Sequence, residues 1–200
     1  GAAKLNIVDE LQLLIDLHEN GPRQGPGGDR ETRLAVALSG LNCASGLRIA
    51  DIGCGTGAST LVLARELDAH LTAVDFIPEF LARLEDAAGR AGLSDRITTL
   101  CASMESLPFA ESVYDAIWSE GAIYNMGFAA GITAWRRYLK PGGVLAVSEL
   151  TWLTDQTITI GRCSSAFPII WIVTRARQGR GWSWQLKRKK SRCTSATRPS

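Results

Sequence analysis

Apolar positions along this chain fall into two periods that alternate, and the alternation predicts the fold. Leu5, Val8, Leu11 and Ile15, with Ile7, Leu14 and His18, recur at helical spacing, and Asn20-Gly21 ends that first helix. Residues 21–28 carry Gly-Pro and Gly-Gly turn signals, so they form a loop. Asp29 then fits an N-cap, with Leu34, Leu38 and Leu41 as the inner face of a second helix. From Leu47 onward, short apolar runs predict strands over 47–52, 70–75, 96–101, 113–118 and 144–150. Helical stretches over 57–67, 79–91 and 128–139 separate them. Strand and helix at this pitch predict an α/β fold: a Rossmann-like, doubly wound, mostly parallel sheet with helices on both faces. Ligands of such sheets bind at the carboxyl ends of the strands, near the point where the strand order reverses.

Composition changes this picture at one place. The 200 residues suffice for a domain that buries roughly 70% of its unfolded surface, and 46% hydrophobic content excludes a disordered or collagen-like chain. The apolar run at 166–173 is too short to span a bilayer, so no membrane partner is expected. The start, Gly1-Ala2-Ala3, shows no signal-peptide pattern. The five Cys are odd in number and scattered, which suits reduced thiols and a cytoplasmic location. The net charge of +2, however, joins two unlike parts. Residues 1–155 hold 12 Lys/Arg against 20 acids, a charge of −8, while residues 156–200 hold 10 Lys/Arg and no acid. The expected organisation is therefore a helical cap over 1–45, a cofactor-binding core over 46–155 and a basic tail over 156–200.

The candidate chemistry falls at the ends of the predicted strands. Asp51-Ile52-Gly53-Cys54-Gly55-Thr56-Gly57 follows the first one. Its glycines allow a tight turn and a close approach of backbone to ligand, and the next helix offers free N–H groups. As a bare pattern it is ambiguous, because Gly53, Gly55 and Ala58 also satisfy the dinucleotide fingerprint G-x-G-x-x-G/A. Asp75 ends the second strand, where a carboxylate can accept both ribose hydroxyls or cap the helix near Pro78. Ser103-Met104-Glu105-Ser106-Leu107-Pro108-Phe109 follows the third, and Met104 suits either an adenine face or the core. Ser119-Glu120-Gly121-Ala122-Ile123-Tyr124-Asn125 brings an acid, a phenol and an amide to the end of the fourth. Leu139-Lys140-Pro141-Gly142-Gly143 ends a helix and starts a strand, without assigned chemistry.

In that order and spacing, from about residue 24 to 155, these segments resemble the class I S-adenosylmethionine-dependent methyltransferases. With Arg23-Gln24-Gly25-Pro26-Gly27-Gly28 added, the set is similar to small-molecule members distantly related to the quinone-biosynthesis enzymes. The resemblance implies S-adenosylmethionine as cofactor. The turn over 53–57 (Gly53, Gly55, Gly57) would cradle its methionine end, and Asp51 would hold water or the amino group. Asp75 would take the ribose, and Phe76, Ile77 and Met104 would flank the adenine. Gln24 and Gly25, within 24–27, would close over the cofactor. Ser103 stands where many members carry an Asp for the adenine amino group, and a hydroxyl is the weaker acceptor.

Methyl transfer needs an aligned acceptor more than a catalytic side chain, since alignment can supply roughly 7–11 kcal/mol of the barrier. No metal site is expected: the only two His, His18 and His70, stand in different elements. Where the acceptor must lose a proton, Glu120 is the first candidate base and Tyr124 the second; His18 suits a helix surface better. The expected function is methyl transfer to a small-molecule acceptor by direct displacement. The alternatives are a cofactor-binding module inactivated by its altered C-terminus, or an RNA methyltransferase using the basic tail; a nucleic-acid partner is not the expectation. A nicotinamide-dependent dehydrogenase is remote.

The tail itself admits three readings. The family pattern leads on to an acidic helical segment and an antiparallel hairpin, and residues 156–200 lack acids and helical periodicity. A shifted reading frame explains the abrupt change best, leaving the final strands atypical or missing. A divergent hairpin with strands at 169–175 and 182–187 is the second reading, and a nucleic-acid-binding extension the third. On the first reading, sequencing the coding DNA around codon 155 is expected to show an acidic, helical continuation in another frame; three frames without one would reject it.

Overall fold

The computed structural model describes residues 23, 24, 27–150 and 169–175, of which 149, 150 and 169–175 are described by backbone alone. The first helix expected before Asn20, with His18, lies outside the described residues, as do Gly25 and the strand expected at 182–187. In chain order the described elements are α1 (Asp29–Ser39), β1 (Leu47–Ile52), α2 (Ala58–Glu66), β2 (Ala69–Asp75), α3 (Pro78–Ala91), β3 (Ile97–Cys101), β4 (Tyr114–Glu120), α4 (Phe128–Trp135), β5 (Leu139–Leu150) and β6 (Ile169–Arg175).

Strand β1 is buried at every position but Arg48, as a strand covered on both faces must be. It pairs in parallel with β2 on one side and β4 on the other. Together the strands form one sheet in the order β3-β2-β1-β4-β5-β6, parallel throughout except for the last pair. The chain therefore leaves β1 toward β2 and β3, then returns to β1's other side with β4. That reversal leaves a crevice beyond the carboxyl ends of β1 and β4. Alternation along the strands divides the core in two. Ile49, Leu71 and Trp118 face Ala35 and Val36 of α1 and Leu63 of α2. Ala50, Val74 and Ile117 face Ile132 and Trp135 of α4 on the other side. The expected doubly wound architecture is the observed one.

Differences from the expected elements are local and have physical causes. Gly28, not Asp29, is the N-cap of α1, and Asp29 lies in the first turn, where its charge suits the helix dipole. The inner face of α1 is Thr32, Ala35, Val36 and Ser39, whereas Leu34 is exposed, because small residues let α1 lie close against α2. Helix α4 stops at Trp135 and continues as a 3₁₀ turn, Arg136–Tyr138. Strand β5 starts at Leu139, and a register shift between Tyr114 and Ala116 absorbs Pro141-Gly142-Gly143. Strand β4 runs two residues further than expected and takes in Ser119 and Glu120. Strand β6 pairs antiparallel with β5 from Leu150↔Ile169 to Val144↔Arg175, at the position named by the hairpin reading of the tail.

The turn from β1 to α2 is where backbone conformation is most demanding. Gly57 has φ of 84°, and a Cβ there would collide with Leu84 of α3. Gly92, the C-cap of α3, has φ of 67° but faces open space. Gly57→Ala is expected to cost about 1–3 kcal/mol more than Gly92→Ala, since overpacking adds to the same left-handed strain. Urea unfolding midpoints of the two variants check this.

Candidate functional site

A cavity of about 160 Å³ opens at the reversal in strand order. Its floor is the turn after β1, where Gly53 and Cys54 donate their N–H groups to the Val74 carbonyl at 2.8 and 3.0 Å. Asp75, the last residue of β2, reaches across: its Oδ2 accepts from Gly55 N at 2.9 Å and its Oδ1 from Ile77 N at 3.0 Å. The carboxylate thus locks the glycine turn and caps the entry to α3 at once. Burial pushes the Asp75 carboxyl up from the usual carboxylate range, and the backbone N–H groups of Ile77, Gly55 and Phe76 pull the other way.

The walls are apolar on one side and polar on the other. Phe76, 56% exposed, Ile77, Phe80 and Met104 line the apolar side. Met104 also packs on the core beneath α4, and its carbonyl accepts from Trp135 Nε1 at 3.0 Å, which pins the segment after β3. Met104 therefore lies on the cavity wall and packs on the core at once. Ser103 points elsewhere: its Oγ accepts from Glu105 N at 3.3 Å, and it is not among the lining residues.

Asp51 and Gly57 also stand behind the cavity rather than on its wall. Asp51 is fully buried, and its Oδ2 accepts from Ser59 Oγ at 2.8 Å and Thr60 Oγ1 at 2.7 Å in the first turn of α2. Its Oδ1 has no hydrogen-bond partner. Burial pushes the Asp51 carboxyl up to about 7, against the two hydroxyls that pull it down. Gly57 is taken up by the close approach of α2 and α3 described above.

On the polar side, Glu120 and Tyr124 both line the cavity, in different states. Tyr124 lies in the 3₁₀ turn Ile123–Asn125 and is 60% exposed. Glu120 is the last residue of β4, not part of the loop past it, so its side chain leaves on the same face as Trp118. Its Oε1 accepts from Trp118 Nε1 at 3.0 Å, and its Oε2 is ion-paired with Arg23. Both oxygens of the first candidate base are thus occupied by donors.

Arg23, quoted above in the Arg23–Gly28 segment but given no role, also lines the cavity, as do Val74, Phe80 and Ala102. Arg23 Nη2 also donates to Thr32 Oγ1 at 3.3 Å and lies 3.5 Å from an Asp29 oxygen. Next to it, Gln24 accepts from Thr56 N at 3.0 Å through Oε1 and donates to Thr56 Oγ1 at 2.7 Å through Nε2. The amide occupies the space that a Cβ on Gly55 would fill. A cation beside a Gly-Pro loop was the only sequence signal for Arg23, and charge alone does not say which acid it meets.

Comparison with known proteins assigns this arrangement. Residues 49–143 match the family model described as a methyltransferase domain. The demethylmenaquinone methyltransferase of Corynebacterium urealyticum is 36% identical over 112 residues, 56% of this chain and 45% of the relative. The 27-O-demethylrifamycin SV methyltransferase of Amycolatopsis mediterranei is 30% identical over 59% of this chain and 44% of the relative. The chain spans about half the length of the curated relatives it matches. Among solved structures, a methyltransferase of Thiobacillus denitrificans in complex with S-adenosyl-L-homocysteine shares the fold, with TM-score 0.66 and 20% identity over 74% of this chain and 58% of that one. The [4+2]-cyclase SpnF is similar with TM-score 0.63 and 28% identity over 75% of this chain and 62% of that one. Residues 49–143 carry a methyltransferase domain, and in sequence and fold the chain is similar to the class I S-adenosylmethionine-dependent methyltransferases. Among the described residues, no helix is long and apolar enough to cross a membrane.

The state of Asp51 has a measurable consequence. A buried carboxyl raised to about 7 holds its proton more tightly folded than unfolded, so its contribution to stability is full below about pH 4 and is lost as pH rises through 7. Denaturant unfolding at pH 4 to 8 is expected to show that loss in the parent. Asp51→Asn, which has no proton to release, is expected to flatten it.

Proposed function

We propose that this chain transfers a methyl group from S-adenosylmethionine to a small-molecule acceptor, in the cytoplasm. The observation that carries this reading is the junction of Asp75 with the glycine turn at the mouth of β1 and β2. That junction leaves a glycine-rich floor, a carboxylate and an apolar wall in one cavity. The residues present fit the cofactor: the unpartnered Asp51 Oδ1 beneath the floor suits the field of an ammonium group, directly or through water. Gly53 and Gly55 admit the methionine end, the Asp75 carboxylate holds the ribose, and Phe76, Ile77 and Met104 enclose the adenine. When bound, the cofactor supplies a methyl group on a sulfonium whose sulfur keeps the bonding electron pair.

The chain's own residues then align the acceptor beyond β4, between Tyr124 and the end of the sheet. An acceptor hydroxyl or acidic carbon gives its proton to Tyr124 Oη as the phenol releases its own O–H proton to solvent, to which it is open. Tyr124 is placed ahead of Glu120 as the proton acceptor, because the Glu120 carboxylate is committed to its ion pair with Arg23. The demethylmenaquinone and 27-O-demethylrifamycin SV methyltransferases among its relatives support small molecules as the first acceptors to try. No described residue supports the RNA reading or the inactive-module reading.

Calorimetric titration with S-adenosylmethionine and transfer of a labelled methyl group to demethylated quinols test the proposal. Asp75→Ala is expected to abolish saturable binding. Tyr124→Phe is expected to keep binding and to lower kcat about 100-fold, the lower end of what a lost proton acceptor costs. A parent chain that binds no cofactor would sink the reading.

A further inference from the structure

Two adjacent residues, Arg23 and Gln24, both line the cavity and are held at two different places, the end of β4 and the turn after β1. Arg23 is ion-paired with Glu120 at the end of β4, with side chains only 14% and 10% exposed. Gln24 is seated on Thr56 in the turn after β1 by a two-point amide contact. The same Arg23 reaches back to Thr32 and Asp29 of α1. These contacts join three elements through one peptide link.

We infer that Arg23 and Glu120 are positioning residues: their ion pair holds the dipeptide 23–24 as a strap across the cofactor cavity and thereby seats Gln24 on the glycine turn. Glu120 acts through Arg23, and Arg23 acts through Gln24. Consecutive Cα atoms lie about 3.8 Å apart, so fixing one side chain keeps its neighbour's amide beside Thr56 at a high effective concentration. The Glu120 carboxylate is well suited to anchor such a strap. Trp118 Nε1 fixes one of its oxygens from the strand below, so the other presents a single direction to the guanidinium. Seated this way, the amide lies against Gly55, whose N–H is held by Asp75, so the strap meets the two groups that would touch the cofactor. Its consequence for ligand release rests on the methyltransferase reading; its mechanical coupling does not.

The test separates these. In the full-length apo-protein, the Thr56 amide is bonded to Gln24 Oε1, so its hydrogen exchange reports whether the strap is seated. Arg23→Ala and Glu120→Gln are each expected to speed exchange at Thr56 about tenfold, although neither residue touches Thr56. The double variant is expected to match the single ones, the non-additivity of a shared contact. Exchange within β1 and β2 is expected to stay unchanged, which a general loss of stability would not allow. Unchanged Thr56 exchange in both single variants, or additive effects in the double, would overturn the proposal. A second arm measures dissociation of S-adenosylhomocysteine from the loaded protein by stopped flow, with about tenfold faster release expected in the same variants. If the parent binds no S-adenosylhomocysteine, the function proposed above fails while the exchange result still decides the strap. If release stays at the parent rate although Thr56 exchange rises, the strap does not span a cofactor site and the inference fails in that part.

Discussion

Strand β1 has nowhere to go at its end except through the glycine turn, and most of the site follows from that. The strand is paired on both edges and covered on both faces, so the chain can leave only upward. It must then bend at once to lay α2 back on the sheet. Gly53, Gly55 and Gly57 all take left-handed backbone conformations to do so. A turn built this way brings several backbone N–H groups together at glycines, where no Cβ crowds them. Those N–H groups need acceptors, and the nearest are the Val74 carbonyl and the Asp75 carboxylate of the neighbouring strand. The carboxylate that lines the cavity is thus also the structural partner of the turn.

Beneath this turn the protein keeps a carboxyl fully out of water. Asp51 ties the end of β1 to the first turn of α2 through Ser59 and Thr60, yet leaves Oδ1 without a partner. An unpaired buried oxygen is costly. The cost is met next to the turn that floors the cavity, two residues before Gly53.

Much of this was legible in the chain itself. The switch from helical to short apolar runs located all five parallel strands, because residues buried on both faces of a sheet must be continuously apolar. The glycine turn and Asp75 were readable because their demands are local: left-handed backbone tolerates few residues, and an acid at a strand end has a short reach. What each side chain touches was not local. Ser103 accepts from Glu105 within its own loop, and Asp51 is bonded to Ser59 and Thr60 behind the wall, because side-chain surroundings depend on how the strands pair and pack. Leu34 is exposed because α1 approaches α2 through small residues, a choice made between helices.

Glu120 marks the boundary between the two kinds of information. The sequence by itself determined that an acid stands at the end of the fourth strand, beside the ligand crevice of a parallel sheet. Only the tertiary structure decided that this acid faces Trp118 and meets Arg23 from 97 residues away. Periodicity and turn chemistry act over a few residues, so a chain can declare its strands, its glycine turn and its carboxylates unaided. The partner of a charge is chosen by whichever segment folding brings within reach, and no local pattern records that choice.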